Sequence, residues 1–199
     1  MPDTPPRGLT VTALTALHQA VLMSVAFFCT TLVLGGPLGL LPAQAALLAE
    51  VRRWRLDRVP RPGSFVRLWT AATKAWWRAL PGTALLISGL IALGLAVVQA
   101  EPALAALAVV AGLWLLLMAQ HAALLLSLGR PAWIGGHVFL LSAWLAVIGL
   151  VLWFALALSL LLPLLPLTLG LGPALVAGLL VRLEAPVTRL IPPQESGGI

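Results

Sequence analysis

The sequence predicts an all-α fold: a polytopic membrane helix bundle of about five transmembrane helices, with an amphipathic cytoplasmic helical hairpin after the first span. Three observations lead there. Hydrophobic residues make up 61% of the 199-residue chain and charged residues only 9%, a composition suited to a bilayer as solvent. No charge falls between Arg7 and Glu50, Arg78 and Glu101, Glu101 and Arg130, or Arg130 and Arg182, and a spanning helix needs about 20 apolar residues. Eight of the 12 Lys and Arg residues crowd between Glu50 and Leu80, as in a cytoplasmic loop under the positive-inside rule. Helices are required because lipid offers backbone groups no partner.

In chain order, residues 1–12, with Pro2, Pro5 and Pro6, read as an external tail. The single membrane domain, 13–190, opens with a span over 13–35 that Gly35-Gly36-Pro37 ends. The cytoplasmic segment 36–80 follows. Pro42 is placed to start a helix of good formers that closes on Arg52, Arg53 and Arg55, and a turn from Asp57 to Gly63 carries Pro60 and Pro62. A second helix runs from Ser64, an N-cap residue, toward Leu80. It sets Phe65, Leu68, Trp69, Ala72, Trp76 and Leu80 at helical spacing, with Arg67, Lys74 and Arg78 on other faces. That pattern predicts a helix lying in the headgroup region, with Trp54, Trp69, Trp76, Trp77 and Trp133 as interfacial anchors. Spans over 81–100 and 103–128 come next. The tract after Arg130 would be about 75 Å long as one helix, so it folds back at Pro163 and Pro166 into spans 137–160 and 167–183. Residues 191–199 form a cytoplasmic tail.

An odd number of spans, N-terminus outside and C-terminus inside, leaves only Arg7 on the outer face of a cell inner (plasma) membrane. The net charge of +6 then reflects topology and attraction to anionic headgroups, about 1 kcal/mol per well-placed Lys or Arg, and not nucleic acid. Ala43-Gln44-Ala45 has the form of a signal cleavage site, but the apolar stretch before it is too long for a signal peptide. Cys29 is the only cysteine, a packed small hydrophobe.

Intramembrane polar groups are functional candidates because they are costly. His18 and Gln19 lie in the first span, Gln120 and His121 in the third. A relay through them and Thr30, Ser88 and Ser142 is one reading. Interhelical hydrogen bonding is the other, favoured because no Asp or Glu lies within a span. Gly135-Gly136-His137 reads as a flexible helix start, a lone His being poor support for a metal. Zinc-protease, Walker and nucleophile-elbow strings are missing from the sequence, so no catalytic residue, cofactor or metal is expected. Small residues recur at Ala84, Ser88, Ala92, Ala96 and Ala100, and at Gly170, Ala174 and Gly178, seams that let helices approach closely.

Gly39-Leu40-Leu41-Pro42-Ala43-Gln44-Ala45-Ala46-Leu47, then Arg52-Arg53-Trp54, then Phe65 with Trp69 and Lys74, resembles the YesL-like family of uncharacterised bacterial integral membrane proteins. The likeness covers about 35–86; Gln44 replaces the family's small hydroxyl residue, and Trp76-Trp77 its Lys-Glu-Phe. The resemblance implies about five spans and an association with carbohydrate ABC transport. The expected function is accordingly a non-enzymatic accessory or assembly subunit. Its candidate lipid or partner contacts are Arg52, Arg53, Trp54, Trp69, Lys74, Trp76, Trp77 and Arg78, and its partner a transporter subunit or a second copy. An independent small-solute carrier or channel is the alternative, and a membrane-embedded enzyme a remote one.

Overall fold

The structure, a computed structural model, describes residues 9–57, 63–129, 136–159 and 165–188. These form six helices: α1 (Leu9–Val33), α2 (Pro37–Asp57), α3 (Ser64–Val98), α4 (Pro102–Ser127), α5 (Gly136–Ser159) and α6 (Leu165–Thr188). No strand occurs among the described residues. Among the described residues three stretches are long and apolar enough to cross a membrane, Ala13–Val33, Ser64–Val98 and Pro102–Ser127, and Ala143–Leu158 is a shorter apolar one.

The first correction concerns α2. Gly35 and Gly36 take φ values of 96° and 62°, a left-handed pair that residues with a Cβ adopt only at a cost. Their amides close the end of α1, Gly35 N–H donating to the Leu32 carbonyl at 3.1 Å and Gly36 N–H to that of Thr31 at 2.8 Å. The chain therefore reverses at once. Gly39 then passes so close to α1 that an added Cβ would lie 2.5 Å from the Thr31 carbonyl oxygen. Instead of leaving the bundle for a loop, α2 returns through its centre, and every residue from Leu41 to Leu48 is buried. Ala43, Ala46, Leu47, Leu48 and Val51 belong to the main apolar core, with Met23 and Phe27 of α1, Leu68 and Ala72 of α3, Leu124 of α4, Leu145 of α5, and Ala177 and Leu180 of α6.

The second concerns α3. The expected boundary between an interfacial helix ending near Leu80 and a span beginning at Pro81 is absent, and one 35-residue helix runs through Pro81. An interior proline removes a hydrogen bond and costs about 3 kcal/mol. Burial of Leu68, Ala72, Ala79, Gly82 and Thr83 on both sides of it supplies the packing that offsets this. At about 1.5 Å per residue α3 is about 52 Å long, longer than the roughly 30 Å hydrocarbon core of a bilayer.

The contact between α3 and α4 is close because glycines face it. A Cβ on Gly82 would lie 2.9 Å from that of Ala122, and one on Gly89 3.0 Å from the Gly112 carbonyl oxygen. These positions carry the approach of α3 to α4; of the small-residue seam, which can serve internal packing or association with another chain, Ala84 and Ser88 are exposed, and Ala92 and Ala96 are half-buried. In α6, Ala174 is buried and its N–H donates to Ser24 Oγ at 3.3 Å. Gly170 and Gly178 face open space, while Gly172 is the glycine pressed against Leu156.

Residue pairs fix the helix directions. Glu50 meets Arg67 while Leu41 meets Gly82, so α2 and α3 are antiparallel. Gln44 meets Gln120 while Arg52 meets Ser127, so α2 and α4 are parallel. Along α1 and α6, Ser24 meets Ala174, and Gln19 lies with Ser64 and Arg67 at the end where Arg52 holds Glu184. The start of α1 and the end of α6 thus lie at the same end of the bundle. The sequence expectation sets the two ends on opposite sides of a membrane.

Candidate functional site

Where α2, α3, α4 and α6 meet, two buried carboxylates are held by two arginines. The Arg52 guanidinium donates from Nε to Glu184 Oε1 and from Nη2 to Oε2, each at 2.7 Å. Its Nη1 donates to the Ser127 carbonyl oxygen at 2.6 Å, at the last turn of α4, and Nη2 to Ser127 Oγ at 3.1 Å. One side chain thus ties α2 to α6 and caps α4, where cationic groups interact well with the free carbonyls. The planar fork suits this, because Arg presents two parallel N–H groups to a carboxylate while a third reaches elsewhere. On the α3 side, Arg67 donates to Glu50 Oε1 from Nε at 2.9 Å and from Nη2 at 2.6 Å. Its Nη2 also donates to Ser64 Oγ, which donates in turn to Gln19 Oε1 at 3.3 Å. Glu50 and Glu184 are only 5% and 4% exposed, a burial that carboxylates tolerate only when paired.

Above this ionic floor sits an amide pair, Gln44 Nε2 donating to Gln120 Oε1 at 2.6 Å. Gln120 reaches α2 past Gly149 of α5, where a Cβ would lie 2.5 Å from its Nε2. Beside the pair is a cavity of about 210 Å³ among α1 to α5, walled by Phe27, Phe28, Leu41, Leu116, Trp153 and other apolar residues. His121 is buried at 5% exposure, while His18 is exposed. They lie on α4 and α1, whose backbones do not come into close contact among the described residues. Thr30 is buried, Ser88 is exposed and Cys29 is exposed, not packed. The side chains of His137 and Ser142, together with Gly135 and Trp133, lie outside the described residues.

The expected contact residues separate into two groups. Arg52 is committed inside the bundle, Trp54 packs against the core, and Trp69 and Trp76 are half-buried. Lys74, Trp77 and Arg78 are exposed. Trp77 stands at 73% exposure, its ring edge-on to Trp76 at 4.9 Å. Arg53 keeps 62% of its side chain exposed, 3.8 Å from Glu50. Sequence reasoning overlooked Glu50, Glu184, Arg67, Ser127 and Gln44 as members of a site. The available signal was the acids: a carboxylate adjoining an apolar tract, in a chain with six in all, calls for a buried partner. Compared with protein-family models, curated proteins and solved structures, the chain matches none.

Proposed function

We propose that this chain is a non-enzymatic integral membrane protein of the cell inner membrane, an accessory or assembly subunit whose contact surface is the exposed basic and aromatic side of α3. One observation carries the reading. Arg52 and Arg67 are consumed in holding the bundle together, whereas Lys74, Trp77, Arg78 and Arg53 remain exposed on the same rigid helices. A Trp beside cations suits the headgroup zone or a partner's acidic face at that depth. The helix directions support an orientation with both ends of the chain cytoplasmic, in place of the N-out, C-in arrangement with about five spans. The likeness to the YesL-like family supports a carbohydrate ABC-type transport system as the setting.

The test compares Lys74→Glu with Arg78→Glu against the two Gln replacements. Membrane insertion and crosslinking from a photoreactive residue at Trp77 are scored separately. Normal insertion with a transporter-subunit crosslink lost only in the Glu variant is expected. An unchanged crosslink, or one to lipid alone, removes the docking role. The carrier or channel reading is favoured by the cavity beside Gln44 and Gln120, and solute flux into vesicles holding the purified chain would establish it instead.

A further inference from the structure

The cavity has a wall chemistry that its apolar lining alone does not explain. Gln120 and Trp153 both line it, and the Nε2 of one and the Nε1 of the other are buried without an acceptor among the described residues. Thr30, Thr83 and Trp76 also carry unsatisfied buried atoms, but none of them lines this space. A buried donor left unbonded costs about 1–3 kcal/mol, and two on residues that line one cavity, though neither nitrogen reaches its surface, can be satisfied by an acceptor placed there once the side chains turn. The amide of Gln120 can be turned to offer either polarity. The indole cannot, and it fixes the requirement: Trp153 only donates. Both donors are neutral and the remaining wall, apart from the uncharged Gln44, is aromatic and aliphatic, so a charged ligand would lack a counterion here.

We propose that this cavity binds an uncharged molecule with a carbonyl oxygen on an apolar body, the oxygen accepting from the Trp153 indole and the Gln120 amide. Dry apolar cavities of about 150 Å³ admit a benzene-sized guest, and about 210 Å³ admits a ring or a medium-length chain. Ala157 is exposed and belongs to the lining, so the space reaches the surface of α5. Neither donor touches solvent, and the oxygen meets them as the side chains turn toward it. The same carbonyl chemistry has two sources in a membrane, a free lipophilic ketone or quinone and the ester of a bilayer lipid.

The full chain, ¹⁵N-labelled at its tryptophans, is placed in bilayer discs of ether-linked phosphatidylcholine, which lacks carbonyls, and titrated with undecan-2-one or undecane. The Trp153 indole resonance, identified by its loss in Trp153→Phe, should move downfield saturably with the ketone and not with the hydrocarbon. Ala157→Phe, which puts a ring into the exposed rim, should weaken the ketone about tenfold or more. The same shift in ester-linked discs before any ketone is added assigns the site to the bilayer lipid and supports the chemistry equally. Should Trp153→Phe not fold, the ketone C=O stretch on the wild-type chain gives the reading, and it should fall to lower frequency saturably. No movement of either signal in either lipid, or equal responses to ketone and hydrocarbon, overturns the proposal.

Discussion

Replacing Arg52 by Met should cost about 3 kcal/mol of stability, the low end of what breaking a buried ion pair costs. The figure follows from the contacts. Two charge-assisted hydrogen bonds to Glu184 and one to the Ser127 carbonyl are lost, each worth about 1.5–3 kcal/mol net when a charge is involved. Against that, the Arg52 side chain keeps 20% of its surface exposed, so water already screens part of the interaction, and Met retains the packing of the aliphatic stem. A loss of 3 kcal/mol lowers the folded-to-unfolded ratio by about 150-fold. The assay is reversible unfolding in mixed micelles with increasing SDS, followed by tryptophan fluorescence. Glu184→Leu alone should be comparably harmful, and Arg52→Met with Glu184→Leu together should cost at least about 1 kcal/mol less than the sum, as coupled sites do. Exchanging the two residues restores the pair but leaves Ser127 without its cap, so it should recover stability only in part. An Arg52→Met protein within about 0.5 kcal/mol of wild type, the range of ordinary surface substitutions, would refute the reasoning.

Two further outcomes are expected. Gly82→Ala brings a Cβ to 2.9 Å from Ala122 Cβ and 3.1 Å from Leu41 Cδ1 and should cost about 1–3 kcal/mol by overpacking. Gly94→Ala, which meets nothing within 4 Å, should be neutral or slightly stabilising on the same assay. If both ends of the chain are cytoplasmic, single cysteines at Val11 and Arg182, both exposed, placed in a Cys29→Ala background should be shielded from an impermeant thiol reagent in intact cells. Labelling of Val11→Cys from outside would restore the N-out arrangement.

The long apolar helices were legible because their signal is additive: twenty residues without a charge mean the same thing whatever they touch, and 102–127 fell within two residues of the expected span. The helical character of 37–57 and 64–80 was legible too, from Pro42, Ser64 and the spacing of the tryptophans. Their burial was not. Arg52 and Arg53 are adjacent and identical in composition, yet one is tied to Glu184 and the other faces solvent. That difference depends on the rotation of α2 against α6, a partner 132 residues away, which no local pattern encodes. Pro81 misled for a related reason, since proline stops a helix only where nothing packs across the break. The glycines that carry the α3–α4 contact were hidden among equally small residues, because composition does not say which side of a helix its neighbour takes.

The separation between Arg52 and Glu184 sets an order of events at the ribosome. Arg52 is made early and waits for the carboxylate that will hold it, which lies 132 residues further along the chain. At about 5–20 residues per second that wait lasts roughly 7 to 26 s. During it the guanidinium has only water, lipid phosphate or the translocation machinery to contact, and the turn of α4 that it caps arrives well before α6. The bundle is therefore a structure whose first hairpin stays provisional until its last helix is threaded, and a chain truncated before α6 should be recognised as unfinished by its exposed arginine and not by any loss of apolar length.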